Sequence, residues 1–224
     1  VTVLGNINNL AKTGYTFIGW NTSPLGTGTN YLPGNTFPMG INNVALYAMW
    51  KALPTYTVTY NGNGNTSGSA PIDNNHYLTG NPVTVLGNIN NLAKTGYTFI
   101  GWNTSPLGTG TNYLPGNTFP MGINNVALYA MWKALPTYTV TYNGNGNTSG
   151  SVPIDNNYYF EGGTVTVLDN PYSLAKNGFS FAGWSISPLG NGKIYHEGNT
   201  FIIGNSDVVF YSIWCRIIRG IKIF

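Results

Sequence analysis

The side chains best suited to acid–base chemistry are His76 and Asp73, which lie three residues apart. A histidine beside a carboxylate can transfer protons in a reaction. The position that matches His76 in the next copy of the sequence is Tyr158, and no serine, cysteine or second carboxylate stands near this pair. We therefore interpret His76 as part of a solvated loop and predict that the chain is not an enzyme and has no catalytic residues.

A metal or cofactor site is the second possibility that the residue types raise. The loop Asn61–Asn65 could place carbonyl oxygens around calcium, but the first carboxylate after it is Asp73. Hard cations prefer charged oxygen ligands. The single Cys215 excludes a disulfide framework and a Cys-x-x-Cys metal cluster. The sequence thus predicts no metal site and no cofactor.

Aromatic residues could form a platform on which sugars stack. The set with the most regular spacing is Tyr97, Phe99, Trp102, Tyr129 and Trp132. Aromatic residues at strand alternation with glycine neighbours more often belong to a core. We predict that Phe99, Trp102 and Trp132 are buried, together with Leu128.

Four tyrosines are better candidates for exposure and for ligand contact. Tyr56 and Tyr113 belong to one copy of the repeated sequence, and their counterparts Tyr138 and Tyr195 belong to the next. The aromatic type is thus kept in both copies. We expect these four residues to contact a ligand, if the chain binds one.

All of these residues lie within a tandem repeat. Residues 1–69 are identical to residues 83–151, and a more divergent third copy follows at the same 82-residue spacing. A fixed period of this kind indicates an array of modules. Such arrays are more typical of stalks, spacers and multivalent binders than of catalysts, because catalysis gains little from repeated sites.

The phase of the repeat predicts the domain boundaries. A strand-like YTVTY segment opens at Tyr56 and at Tyr138, each time after the linker-like sequence KALPT, and none precedes Val1. We predict a truncated module at 1–54, a complete module at 55–136, a complete but diverged module at 137–216, and a short basic, apolar tail at 217–224. Without an initial Met or a signal sequence, the chain is expected to be part of a longer protein.

Charge and composition restrict the partners and the location. Only 7% of residues are charged, against roughly 25% in ordinary soluble domains. Residues 1–214 hold six Lys and six Asp plus Glu, so the net charge of +3 comes from Arg216, Arg219 and Lys222. Nucleic-acid binding needs clustered cations and is therefore not expected. Solubility through neutral polar groups is typical of secreted and wall-associated β-rich modules.

The periodicity predicts short strands separated by turns. Alternation marks a strand at Tyr56–Tyr60, and further strands are expected at Val83–Leu86, Tyr97–Trp102 and Val126–Trp132. The stretch Asn88–Lys94 could form one or two helical turns before Gly96 stops it. The predicted class is mainly β or small α+β, with at most one short helix in each module.

Three motifs carry a resemblance to a known family. The motifs are GYTFIGW at Gly96–Trp102, YLPGNTF at Tyr113–Phe119 and VALYAMW at Val126–Trp132. Every copy carries GYTF-x-GW or its FSFAGW variant and an LYA-x-W-like ending, at one shared spacing. In these motifs the chain resembles the Listeria–Bacteroides repeat, the internalin B-repeat family of bacterial surface proteins. The resemblance implies β-grasp-like modules in tandem between an anchored end and a functional head, with no catalysis and no cofactor.

Two functions follow as expectations. The first is a non-catalytic stalk or spacer of a bacterial cell-surface protein, with a part in adhesion; the alternative is a multivalent binder of glycan or protein that uses Tyr/Asn-rich loops. The expected partners are a host or envelope protein or glycan and the neighbouring modules of the parent chain. The expected location is extracellular, at the cell surface or cell wall, with the signal and anchor outside this sequence.

The last ten residues, Cys215–Phe224, include the tail at 217–224 and are interpreted as a segment without a counterpart in the repeat. Its apolar stretches are too short to span a membrane, which takes about 20 residues. We expect a short strand extension or a disordered end. The alternative is an amphipathic basic segment that contacts an anionic envelope surface.

Overall fold

The computed structural model describes residues 1–217, and every regular element in that range is a β-strand. The prediction of a mainly β protein is therefore confirmed. The strands of residues 1–54 are β1 (Tyr15–Asn21), β2 (Asn30–Tyr31) and β3 (Tyr47–Ala52). The strands of residues 55–136 are β4 (Thr55–Tyr56), β5 (Val58–Asn61), β6 (Tyr77–Leu78), β7 (Pro82–Thr84), β8 (Tyr97–Asn103), β9 (Asn112–Tyr113), β10 (Thr118–Pro120) and β11 (Val126–Ala134). The strands of residues 137–216 are β12 (Thr137–Tyr138), β13 (Val140–Asn143), β14 (Tyr159–Phe160), β15 (Thr164–Thr166), β16 (Phe179–Ser185), β17 (Thr200–Ile202) and β18 (Val208–Arg216).

The main sheet of each copy is built on an antiparallel hairpin. In the middle copy the strand order is β5-β11-β8-β9, and in the third copy it is β13-β18-β16. The opening strand pairs in parallel with the closing strand, β5 with β11 and β13 with β18. In the first copy the order is β2-β1-β3. Smaller two-stranded ladders, β7 with β10 and β15 with β17, accompany the main sheets.

The glycine of each Gly-Trp pair lies where the hairpin strand bulges. The register shifts between Phe17 and Gly19 in β1 and between Phe181 and Gly183 in β16. Gly19 has a φ of 137°, and a Cβ built on it would lie 2.8 Å from the carbonyl oxygen of Tyr31. Only glycine accepts both conditions. The bulge explains why this motif recurs at one position in each copy.

The one or two helical turns that the sequence allowed at Asn88–Lys94 do not form, and this segment makes a single turn held by one asparagine. The Asn88 side chain accepts a hydrogen bond from the Leu92 backbone N–H and donates one to the Leu92 carbonyl, each at 2.7 Å. Asn91 adopts a φ of 51° within the turn. The asparagine side chain replaces the backbone hydrogen bonds that a helix would supply. The chain therefore forms a single turn and does not continue as a helix.

The predicted strand at Tyr56–Tyr60 is interrupted at Thr57. The Thr57 backbone N–H bonds to the side-chain oxygen of Asn125 at 2.9 Å, and its carbonyl accepts from the Val126 N–H at 2.9 Å. The segment therefore divides into β4, which pairs with β6, and β5, which pairs with β11. One segment thus serves two ladders.

Each complete copy contains a hydrophobic core. In the middle copy the core includes Trp102 and Leu128, both fully buried, with Phe99 and Trp132 packed half-buried against it, in agreement with the predicted core. In the third copy the core includes Trp184 and Phe210.

The three predicted module boundaries stay predictions. By contacts, the described chain divides into two compact units, one of residues 1–95 with 99–132 and one of residues 96–98 with those from 133 on.

The predicted tail lies only partly within the described residues. Cys215 and Arg216 extend strand β18, and the backbone N–H of Ile217 bonds to the Gly178 carbonyl at 2.9 Å. Residues 218–224 lie outside the described range, and so does most of the tail prediction.

Candidate functional site

The four tyrosines predicted to be exposed lie against the cores instead. Tyr56, Tyr113 and Tyr138 are half-buried, and Tyr195 is buried with 8% of its surface exposed. The Tyr113 ring lies 4.9 Å from that of Phe119. The alternation of a short strand does not tell which face meets the small second ladder, and here the rings of Tyr113 and Tyr195 contact Phe119 and Phe201 of that ladder. Their role in ligand contact stays a prediction.

Asp73, one of the two residues that suggested acid–base chemistry, forms a structural staple with Asn75 and Tyr77. The Asp73 carboxylate accepts a 2.8 Å hydrogen bond from the Tyr77 hydroxyl and two bonds, of 2.9 and 2.8 Å, from Asn75. Burial, helped by the bond to Asp73, raises the pKa of Tyr77. His76 is exposed. The third copy repeats the staple with Asp155, Asn157 and Tyr159, so the arrangement fixes a loop in each complete module.

A buried amide organises a turn that sequence reasoning overlooked. The side-chain oxygen of Asn103 accepts from the backbone N–H groups of Ser105 at 2.7 Å and Gly110 at 3.1 Å. Its amide nitrogen donates to the Gly110 carbonyl at 3.2 Å and to the side chain of Asn112 at 2.7 Å. Asn103 is fully buried. A buried amide with all of these bonds satisfied holds the turn in one conformation.

A second asparagine fixes the same turn from the loop that follows β5. The Asn63 amide donates to the carbonyls of Pro106 and Ala130, each at 2.9 Å. In the third copy Asn145 donates to Pro188 at 2.8 Å and to Ser212 at 3.0 Å. The turn is therefore connected both to its own hairpin and to residues 55–82, which we call the opening segment of the middle module.

A solvent-exposed leucine lies at the tip of each of these turns, and we call such a turn the leucine turn. It spans residues 22–29, 104–111 and 186–193, with Ser-Pro-Leu-Gly at its tip in each copy. Leu25, Leu107 and Leu189 are 84%, 85% and 82% exposed. The third copy keeps the exposed leucine even though Ser185 replaces the buried asparagine. The signal in the sequence was the recurrence of an apolar residue between proline and glycine.

Apolar side chains adjoin the leucine turn on the outer face of the hairpin. In the middle copy Ile100 and Leu114 are 47% and 60% exposed. Met131 lies close to Gly108. A Cβ built on Gly108 would lie 2.7 Å from the Cε atom of Met131. In the first copy the matching surface forms a groove of about 290 Å³ lined by Ile18, Leu32 and Met49 together with Trp20 and Tyr31. This surface offers apolar contact and neutral hydrogen bonds.

The described residues contain no cluster of three or more His, Cys, Asp or Glu side chains that could hold a metal ion. No helix among residues 1–217 is long and apolar enough to cross a membrane.

The fold and this surface define a tandem array of small all-β modules. The family model of the Listeria-Bacteroides repeat domain matches residues 2–49, 56–131 and 138–213. The chain therefore belongs to the Listeria-Bacteroides repeat domain family, as three tandem repeats.

Two similar proteins come from Evansella cellulosilytica. One, named as a Gly-rich membrane protein, is 38% identical over 188 residues, which cover 82% of this chain and 20% of the relative. The other, named as a membrane protein, is 38% identical over 123 residues, which cover 55% of this chain and 18% of the relative. The chain thus spans about a fifth of the length of either protein. No solved structure matches the chain.

Proposed function

We propose that this chain is a non-catalytic repeat region of a bacterial cell-surface protein and that it acts as a stalk or spacer. The observation that carries the proposal is the separate core of each complete module. The middle core draws its residues from positions 56–132, and the third core draws its residues from positions 138–214. A module that encloses its own core can be added or removed without dismantling its neighbour.

The membership of the family and the names of the relatives support a place at the cell envelope. The chain matches only about a fifth of each relative. A spacer that presents the remainder of a long envelope protein agrees with this proportion.

The spacer role can be tested by changing the number of modules. Copies of residues 55–136 would be inserted after residue 136 of the full chain, and the maximum dimension would be measured by small-angle X-ray scattering for zero, one and three insertions. We expect a constant increment for each inserted module. Growth with the cube root of the mass, as in a single expanding globule, would contradict the spacer role.

The surface location needs a separate measurement. Intact bacteria that produce the full parent protein would be treated with a protease, and the released peptides would be identified by mass spectrometry. We expect repeat peptides in the supernatant while a cytosolic marker stays intact. Release only after cell lysis would place the repeats elsewhere.

The second candidate function is a multivalent binder, and the leucine turn favours it. A leucine more than four-fifths exposed in all three copies offers the same contact at each repeat, and repetition converts weak contacts into avidity. The triple variant Leu25→Asn, Leu107→Asn and Leu189→Asn should abolish binding to host-cell protein extracts or to arrayed glycans. Binding that persists in this variant but is lost in Tyr56→Ala and Tyr138→Ala would return the contact to the tyrosines.

A further inference from the structure

Asparagine is followed by glycine at six places in the chain, and this pair can modify itself. The glycine backbone nitrogen attacks the side-chain amide carbon of the asparagine, and a cyclic imide forms. The proton of the glycine N–H passes through water to the displaced side-chain nitrogen, which leaves as ammonia. Water then opens the imide to aspartate or isoaspartate. Glycine favours this reaction because it has no side chain to obstruct the attack and adopts many backbone conformations. The six pairs are Asn61–Gly62, Asn63–Gly64, Asn143–Gly144, Asn145–Gly146, Asn177–Gly178 and Asn191–Gly192.

Hydrogen bonds restrain the four asparagines that lie in the loops after β5 and β13. In the third copy the Asn145 amide donates to the carbonyls of Pro188 and Ser212 at 2.8 and 3.0 Å. The side-chain oxygen of Asn143 accepts from the Asn145 N–H at 2.8 Å. The middle copy repeats all of these bonds. Attack on any of these side chains requires it to leave its hydrogen-bond partners, which slows the reaction.

The fifth pair, Asn177–Gly178, lies in a closed turn. The Phe179 N–H donates to the Lys176 carbonyl at 3.0 Å across this turn. The Asn177 N–H donates to the side-chain oxygen of Thr148 at 3.0 Å. Hydrogen bonds therefore fix the backbone around this pair, and the glycine nitrogen cannot move freely toward the asparagine side chain.

The sixth pair lies in the leucine turn of the third copy, where these restraints are missing. Asn191 is exposed, and within residues 1–217 neither its side chain nor the Gly192 N–H makes a hydrogen bond. In the middle copy the matching N–H, that of Gly110, donates to the buried side-chain oxygen of Asn103 at 3.1 Å. Ser185 takes the place of that asparagine in the third copy. One substitution thus accounts for the free glycine nitrogen.

The space around the two glycines differs in the same way. A Cβ built on Gly110 would lie 2.9 Å from the side-chain oxygen of Asn103. A Cβ built on Gly192 would meet no atom of the described residues within 4 Å. Gly192 has a φ of 109°, which glycine adopts readily and other residues rarely adopt. The peptide bond between Asn191 and Gly192 therefore has room to rotate toward the side-chain amide.

We propose that Asn191 is a site of spontaneous deamidation through a cyclic imide with Gly192, and that this pair reacts first in the folded chain. Water is the co-reactant. The product adds a carboxylate two residues before Lys193, and isoaspartate also lengthens the main chain by one carbon. The change falls on the turn that carries the exposed Leu189. The third leucine turn thus becomes chemically different from the other two as the protein ages.

The test follows deamidation of the full 224-residue chain in mildly alkaline buffer. Peptide mapping by mass spectrometry, with fragment ions to locate each site, would give the rate at every pair, and an isoaspartyl methyltransferase would count the isoaspartate. We expect Asn191 to react at least about tenfold faster than Asn145, because reaction at Asn145 requires the loss of its hydrogen bonds. In guanidinium chloride, where the fold restrains neither pair, the two rates should become similar.

A matched variant separates the dipeptide from its surroundings. Thr109→Asn places an asparagine before Gly110 in the middle copy, where the glycine N–H is held by Asn103. The new pair should react at least about tenfold more slowly than Asn191, because its glycine nitrogen must first lose that bond. Asn191→Thr, which restores the residue of the middle copy, should remove the fast product. Both substituted positions are exposed, so the fold should be kept.

Four results would overturn the proposal. Equal rates at Asn191 and Asn145 in the folded chain would show that the free nitrogen of Gly192 has no effect. Faster reaction at Asn177 would move the first site to the closed turn. A Thr109→Asn variant that reacts as fast as Asn191 would assign the rate to the dipeptide alone. A difference between Asn191 and Asn145 that persists in guanidinium chloride would assign it to neighbouring sequence.

Discussion

Residues 1–52 and 83–134 have the same sequence but differ in burial. Trp102 is fully buried, whereas Trp20 is half-buried, and Leu10 is 46% exposed, whereas Leu92 is 3% exposed. Only the middle copy follows an opening segment in this sequence. The closed core is therefore a property of the hairpin together with the opening segment, and the hairpin sequence alone does not determine it.

Other features are the same in both copies. The buried amide of Asn21 makes the same hydrogen bonds as that of Asn103. The side-chain oxygen of Asn21 accepts from the Ser23 N–H at 2.7 Å, and that of Asn103 accepts from the Ser105 N–H at 2.7 Å. The asparagine-held turn at Asn6 matches the one at Asn88. Contacts within a short stretch of sequence persist without the opening segment, while long-range burial is lost.

The largest difference between the copies should appear when the shared tryptophan is removed. Trp102→Ala should destabilise the middle module by about 3–5 kcal/mol, as large aromatic truncations in cores do. Trp20→Ala should cost only about 1–2 kcal/mol, because its ring buries less apolar surface. Hydrogen exchange with mass spectrometry would measure both, since each substitution gives its own copy a distinct mass. Equal losses would mean that the two tryptophans have the same surroundings in solution.

Removal of the asparagine that joins the opening segment to the leucine turn should have the next largest effect. Asn63→Gly loses the bonds to the carbonyls of Pro106 and Ala130 and should cost about 1–3 kcal/mol. Glycine tolerates the φ of 48° at this position, so the loss reports on the hydrogen bonds. Asn63→Ala adds backbone strain and should be worse by about 1 kcal/mol. Chemical denaturation would give both values, and Asn145→Gly in the third module is the matched control.

Alkaline pH should affect the complete modules more than the first copy. Burial raises the pKa of Tyr60 and of Tyr142 above the ordinary value of 10.0, and residues 1–54 contain no counterpart of either tyrosine. Because the folded-state pKa lies above the unfolded one, this contribution to stability is complete below pH 10 and is lost as the pH rises through the folded-state pKa. Thermal melts from pH 8 to 12 should show a fall that Tyr60→Phe and Tyr142→Phe together reduce. An unchanged slope in the double variant would assign the fall to other groups.

The smallest effect on stability is expected at the leucine of the leucine turn, which is exposed in all three copies. Leu25→Asn, Leu107→Asn and Leu189→Asn remove side chains that are more than four-fifths exposed, so each should change the free energy of unfolding by less than about 0.5 kcal/mol. Urea titration of the three variants would check this. A loss above about 1 kcal/mol in any of them would show that the leucine packs against the protein in solution.

The sequence determined the array, the neutral surface, the mainly β class and the core residues Trp102 and Leu128. These depend on period, composition and local alternation, which can be read without knowing what each strand pairs with. The sequence left open whether Asn88–Lys94 forms a helical turn, because a side chain can satisfy the same backbone groups that a helical turn would. The exposure of Tyr113 and Tyr195 was wrong because a small ladder covers a face that alternation leaves undecided.

Only the tertiary structure showed which side chains are exposed in the first copy, which the sequence predicts to be truncated. Tyr60 meets Trp102 across 42 residues of chain, and Val58 of β5 pairs with Val126 of β11 across 68 residues. No local pattern distinguishes Leu10 from Leu92 or Met39 from Met121, because their neighbours in sequence are the same. Their burial depends on whether a distant segment covers them, and burial of apolar surface depends on spatial neighbours rather than on sequence neighbours.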